Sequence, residues 1–135
     1  MSFNFDLDSL KTSSIYPFND IVDIKNAVLE LNNIFVHERS HLTDYTSVEK
    51  LVGAYNCFYM PTNFKKFSFF NSLISKDLKE ALANSLFIDW GCGPGTYLWA
   101  SLLEYNSKQL VGIERSDLMI KQDEKTYNHF FRNTF

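Results

Sequence analysis

Three glycines stand at alternate positions in Asp89-Trp90-Gly91-Cys92-Gly93-Pro94-Gly95, directly after the apolar run Leu86-Phe87-Ile88 and directly before a helical pattern. The whole chain of 135 residues holds only five glycines, about half the usual ~7% share. A sequence that avoids glycine and then clusters it needs bare backbone at that place. The physical reason expected at a strand-to-helix turn is a ligand pressed against the main chain.

The elements around this turn follow from periodicity. Leu86-Phe87-Ile88 suits a buried parallel strand. Thr96 to Tyr105 reads as a helix with Leu98, Trp99, Leu102 and Leu103 inward. Leu110-Val111-Gly112-Ile113 reads as a second buried strand ending at Glu114, and Ser116 is placed to cap a last helix over about 117–131. A right-handed crossover of this kind sets two parallel strands side by side.

Upstream the pattern is helical. Residues 1–19 read as an arm or a short first turn. Asn19 or Asp20 can cap a helix to about Ser40, with Ile21, Ile24, Val28, Leu31 and Phe35 on one side. Thr46-Ser47-Val48-Glu49 has the capping-box form, which opens a helix through Leu51, Ala54, Tyr55 and Phe58. Pro61 is expected to end it. A further helix from Thr62 would carry Phe64, Phe67 and Phe70 into the core, and Asp77 to Ala83 adds a short turn. The expected fold class is therefore α/β: an N-terminal helical region over 1–84, then strand–helix–strand–helix over 85–135.

Composition narrows the classes. With 45% apolar residues, a chain of this length can bury one real core. A net charge of −3 gives no basic footprint for nucleic acid; Lys65-Lys66 and Lys76/Lys79 are the only basic clusters, and solvation accounts for them. Cys57 and Cys92 have no metal-ligand spacing and fit a reducing compartment, cytoplasm or mitochondrial matrix. Asp6 and Asp8 stand where a secretory signal needs positive charge. No stretch approaches the ~20 apolar residues of a membrane span. His37-Glu38-Arg39-Ser40-His41 has the spacing of a zinc-protease helix. It lacks a third ligand in the helical continuation, so a solvated helix end with dipole-compensating histidines is the better reading.

The residues of the turn have separate tasks. Gly91 permits the sharp exit from the strand, Gly93 lets a ligand approach, and Gly95 allows close packing where the helix begins. Free N–H groups at the helix start would favour a polar or negative ligand group. Glu114, at the end of the next strand, can accept from both hydroxyls of a ribose. Together these describe an adenosine-binding site. Dinucleotide enzymes prefer Gly or Ala where Thr96 stands. The pattern here, an acid at Asp89, then Gly-x-Gly-x-Gly with Pro94 inside, resembles the first motif of Rossmann-like S-adenosylmethionine-dependent methyltransferases. That resemblance implies Asp89 at the amino-acid end of the cofactor, Gly91, Gly93 and Gly95 with Thr96 along the turn, and Glu114 at the ribose.

Two further segments narrow the resemblance. Ala54-Tyr55 with Met60-Pro61, and Gly93-Pro94-Gly95-Thr96-Tyr97-Leu98-Trp99-Ala100, are similar to the small-ribosomal-subunit-associated methyltransferase family, over roughly residues 45–120. This implies a link to the small ribosomal subunit or its rRNA. The iron–sulfur cysteine cluster of larger members has no counterpart here. Tyr55 and Tyr59, one helical turn apart, with Asn63 beyond, are candidates to fold over the cofactor; the alternative is that both fill the helix–sheet interface. A full methyltransferase sheet is several strands wider than the two expected here. The chain thus reads as an excerpt, a short relic, or a half that completes its sheet with a partner chain. No catalytic base is identified. A non-catalytic assembly or binding protein that keeps the fold is the alternative function.

Overall fold

The computed structural model describes residues 5–37 and 45–132. The proposed His37–His41 pair has its second member outside them, as does Glu38. Helix α1 (Leu7–Ser13) is capped by Asp6, whose carboxylate accepts from the Ser9 amide at 2.8 Å. Helix α2 (Ile21–His37) starts after Asp20, which accepts from the Asp23 amide at 2.8 Å. Its buried positions are Ile24, Ala27 and Leu31, while Ile21 turns outward. After a short 3₁₀ turn (Tyr45–Ser47) come α3 (Glu49–Ala54), a π-turn (Tyr55–Tyr59) and α4 (Met60–Leu73). Helix α5 (Lys76–Ala83) leads to β1 (Leu86–Trp90), α6 (Thr96–Tyr105), β2 (Gln109–Ile113), α7 (Asp117–Thr126) and a closing π-turn (Tyr127–Phe131).

Three expectations are corrected. Thr46 does not cap α3. Val48 occupies the N-cap position without a side-chain bond, and Thr46 sits in the 3₁₀ turn, where its carbonyl accepts from the Ser116 hydroxyl at 2.8 Å. Pro61 does not end the helix. It falls in the first turn of α4, and the π-turn before it gives the chain the extra room a proline ring needs against the preceding carbonyls. The Thr62 hydroxyl bonds the Phe58 carbonyl at 2.7 Å. Third, the phenylalanine stripe of α4 is not all core. Phe64 is buried, but Phe70 is 55% exposed and Asn71 takes the inward place. A three-residue spacing drifts off a face that repeats every 3.6 residues, so the third phenylalanine has rotated out.

The sheet is parallel, with Leu86 beside Gln109 and Trp90 beside Ile113. Phe87, Asp89, Leu110 and Gly112 point to the α6 side, by the alternation of strand residues. There Phe87 meets Phe67 edge-on at 6.5 Å, and Leu98 lies close under Gly112. Leu86, Ile88, Trp90, Val111 and Ile113 form the other side, and Trp90 is 82% exposed. The expected burial on both faces is therefore met on one only. The N-terminal helices pack onto α6 and α7 instead of onto the sheet's second face. The architecture is α/β in the general sense, helix-rich with a small two-stranded parallel sheet.

One polar cluster crosses from the N-terminal helices to the last one. Asn56 in the π-turn donates to the Ser13 hydroxyl at 3.1 Å and accepts from the Thr126 hydroxyl at 3.1 Å. Gln122 donates to Thr126 and to the Ser13 carbonyl, and accepts from the Ile15 amide. Ser13, Asn56, Gln122 and Thr126 are completely buried.

Candidate functional site

The glycine turn is built from left-handed backbone. Gly91, Gly93 and Gly95 have φ of 76°, 55° and 71°, a region that L side chains enter at a cost. Their surroundings differ. A Cβ at Gly91 or Gly93 would meet nothing within 4 Å, whereas one at Gly95 would overlap the Asp123 carboxylate and the Trp99 indole. Gly91 and Gly93 thus present open backbone, and Gly95 is the packing glycine, as the sequence suggested.

The amides of Gly91, Cys92, Gly93 and Gly95, which precede the first helical residue Thr96, are engaged. Gly91 and Cys92 both donate to the Ile113 carbonyl, at 2.7 and 3.1 Å, and Gly95 donates to the Cys92 carbonyl at 3.0 Å. Gly93 donates to Glu114 Oε2 at 2.9 Å. The other oxygen of Glu114 accepts from the Arg115 and Ser116 amides, both at 2.8 Å. Strand pairing brings Ile113 and Glu114 against the turn, where the Ile113 carbonyl and the Glu114 carboxylate take up the amides of Gly91, Cys92 and Gly93.

What the turn does present is acid. Asp89, the last but one residue of β1, has one buried carboxylate oxygen with no hydrogen-bond partner. Burial, and then the nearby Glu114 charge, hold its carboxyl above the ordinary range. Behind Gly95, burial pushes Asp123 up to about 6, partly opposed by the Trp99 N–H that it accepts at 2.6 Å. Burial raises the Cys92 thiol to about 11, helped by the charges of Asp123, Asp89 and Glu114. The Thr96 hydroxyl, at the first position of α6, is also buried without a partner.

Tyrosines close the corner. Burial raises the Tyr55 phenol, which also feels Tyr97 and Asp89, while Asn63 donates to its oxygen at 3.4 Å. Tyr45 is pushed up to about 12 by burial, then by Tyr55 and Glu114. The Tyr45 and Tyr55 rings stack at 6.3 Å, and Tyr55 stacks on Tyr59 at 5.4 Å. Tyr55 therefore faces the acids and Tyr45 links it to Glu114. Tyr59 lies on the far side of this stack. Its hydroxyl reaches Asn32 on α2 at 3.4 Å, and its ring lines an apolar cavity of about 450 Å³ with Val28, Leu29 and Phe58. Tyr59→Phe is expected to leave ligand affinity at the glycine turn unchanged in a calorimetric titration; a clear loss would place the hydroxyl on the ligand.

Asp89, Gly91, Gly93, Thr96 and Glu114 are thus brought to one corner, with Gly95 behind it. Sequence reasoning missed Tyr45 and Asp123. Tyr45 precedes a helix that starts later than expected, and Asp123 carries no motif; only the tertiary approach of α7 to the turn selects it. Among the described residues no cluster of three or more metal-ligating side chains occurs, and no helix is long and apolar enough to cross a membrane. Comparisons with protein-family models, curated proteins and solved structures found no match to this chain.

Proposed function

We propose that this chain is the cofactor-binding part of an S-adenosylmethionine-dependent methyltransferase with a Rossmann-like turn. The observation that carries the reading is the unpartnered Asp89 oxygen beside open glycine backbone, in a corner that also holds Glu114. A pyrophosphate is an anion, and here the Gly93 amide is covered by a carboxylate and the acids beside it repel negative charge. A ligand with cationic groups gains from the same field.

S-adenosylmethionine, when bound, supplies a methyl group on a sulfonium, ready for in-line transfer to a nucleophile. The chain's own residues bind and orient. Asp89 would accept from the ligand's ammonium, which returns its carboxyl toward the ionised form. Gly91 and Gly93 leave room for the ligand to lie on the main chain. Thr96 offers its hydroxyl, and Tyr55 with Tyr45 screens the corner from water. The ribosomal small-subunit resemblance supplies the acceptor class, rRNA or a protein of that particle. It also admits a partner chain against the open sheet.

One observation favours a second reading, a non-catalytic assembly protein. Both oxygens of Glu114 already accept from backbone amides, which leaves one acceptor site, on Oε2, where a ribose would use two hydroxyls. Calorimetry with S-adenosylmethionine, S-adenosylhomocysteine and NAD separates the readings: binding of the first two supports the cofactor site, binding of NAD alone overturns it, and binding of none favours the second reading. Gly93→Val is expected to abolish binding by filling the approach while keeping the helical circular dichroism, at a strain of roughly 1–3 kcal/mol.

A further inference from the structure

Asp123 and Trp99 lie on the side of the turn away from the open glycines. Asp123 is on α7 and Trp99 on α6, and they meet through the 2.6 Å indole bond. The Trp99 ring is held from outside by Tyr127 at 5.0 Å and Phe131 at 5.5 Å. The Trp99 amide bonds the Gly95 carbonyl at 3.0 Å. The space a side chain at position 95 would need is filled by this pair: Asp123 Oδ1 and Trp99 Nε1 lie 2.3 and 2.5 Å from where a Cβ would stand. Any movement of Asp123 or of the indole is therefore felt at Gly95. We propose that Asp123 is a positioning residue for the glycine turn: through Trp99 it fixes the backbone at Gly95, and with it the presentation of Gly91 and Gly93 to a ligand. The ligand half of this statement rests on the cofactor reading; the positioning half does not.

Protonation gives the clamp a handle. The titratable groups against Asp123 are Glu124 on its own helix and Cys92 on the turn, and Cys92 in turn feels Asp89 and Glu114. The value of about 6 stands above the ~3.9 of an unfolded chain. Proton uptake at Asp123 therefore favours the fold; that contribution is complete below about pH 4 and is lost as pH rises through about 6. The indole bond behaves in the opposite sense, since it is stronger to the carboxylate. Raising the pH tightens the clamp while it removes stability.

The chain has five glycines and two tryptophans, so the relevant amide and indole signals are few. A ¹⁵N-correlation titration from about pH 5 to 7.5, on the whole chain, is expected to show the Gly95 amide and the Trp99 indole moving together with a midpoint near pH 6. In Asp123→Asn both signals stay flat, and in Trp99→Phe, which keeps the ring stack, the Gly95 step shrinks. A flat wild type, or the same step in Asp123→Asn, overturns the proposal. In parallel, S-adenosylhomocysteine titrated at pH 7.5 is expected to bind Asp123→Asn about tenfold more weakly, with the melting temperature kept or raised. Equal affinity overturns the positioning role toward a ligand. If the step is present and neither protein binds, the clamp stands and the cofactor reading falls.

Discussion

Gly95→Ala is expected to cost about 3–5 kcal/mol of folding stability, from left-handed strain together with a displaced charge-assisted hydrogen bond. The strain alone is worth about 1–2 kcal/mol for an alanine at φ near +70°. The remainder comes from position. The new methyl would overlap Asp123 Oδ1 and the Trp99 indole nitrogen, so one of the two must move and their bond breaks. The control is built into the same turn. Gly91→Ala and Gly93→Ala carry similar strain, with φ of 76° and 55°, but their methyls enter open space. Both are expected to lose only about 1–2 kcal/mol. Urea unfolding of the three variants measures the difference. Equal losses at all three positions would mean that Asp123 and Trp99 yield freely, and that the turn is held by its own backbone bonds.

This contrast also shows what a sequence can carry. The glycine spacing, the two strand runs and the Ser116 cap are local signals, and each element formed where its pattern stood: Leu86–Trp90, Thr96–Tyr105, Gln109–Ile113 and Asp117–Thr126. Asp89 and Glu114 meet because parallel pairing in register is fixed once the crossover is short. Other features depend on neighbours distant in the chain. Thr46 has the capping sequence, yet its turn is held by Ser116, 70 residues away. Tyr55 and Tyr59 look equivalent at i and i+4. A π-turn changes the angle between successive residues, and only Tyr55 is carried toward Asp89. The open face at Trp90 was hidden for a similar reason: an apolar strand reads the same whether or not anything covers it.

The second large effect is expected at Asn56, which ties the two halves of the chain together. Asn56→Ala removes a fully buried side chain that donates to Ser13 and accepts from Thr126. The Thr126 hydroxyl then has no acceptor, and a small cavity opens in the π-turn. Together these are expected to cost about 3 kcal/mol, a large part of the roughly 5–15 kcal/mol that holds a domain. Gln122→Ala attacks the same cluster from α7, because Gln122 bonds Thr126, the Ser13 carbonyl and the Ile15 amide. Once either residue is gone, the other holds fewer partners. The double variant is therefore expected to fall short of the sum by about 1 kcal/mol or more. Strict additivity would mean that α1, the π-turn and α7 are fastened separately. Coupling would mean that the N-terminal helices and the last helix, on opposite sides of residue 85, unfold as one unit. The corner formed by Tyr45, Tyr55, Asp89 and Glu114 then persists only while that unit is intact, because its tyrosines come from one side of this boundary and its acids from the other.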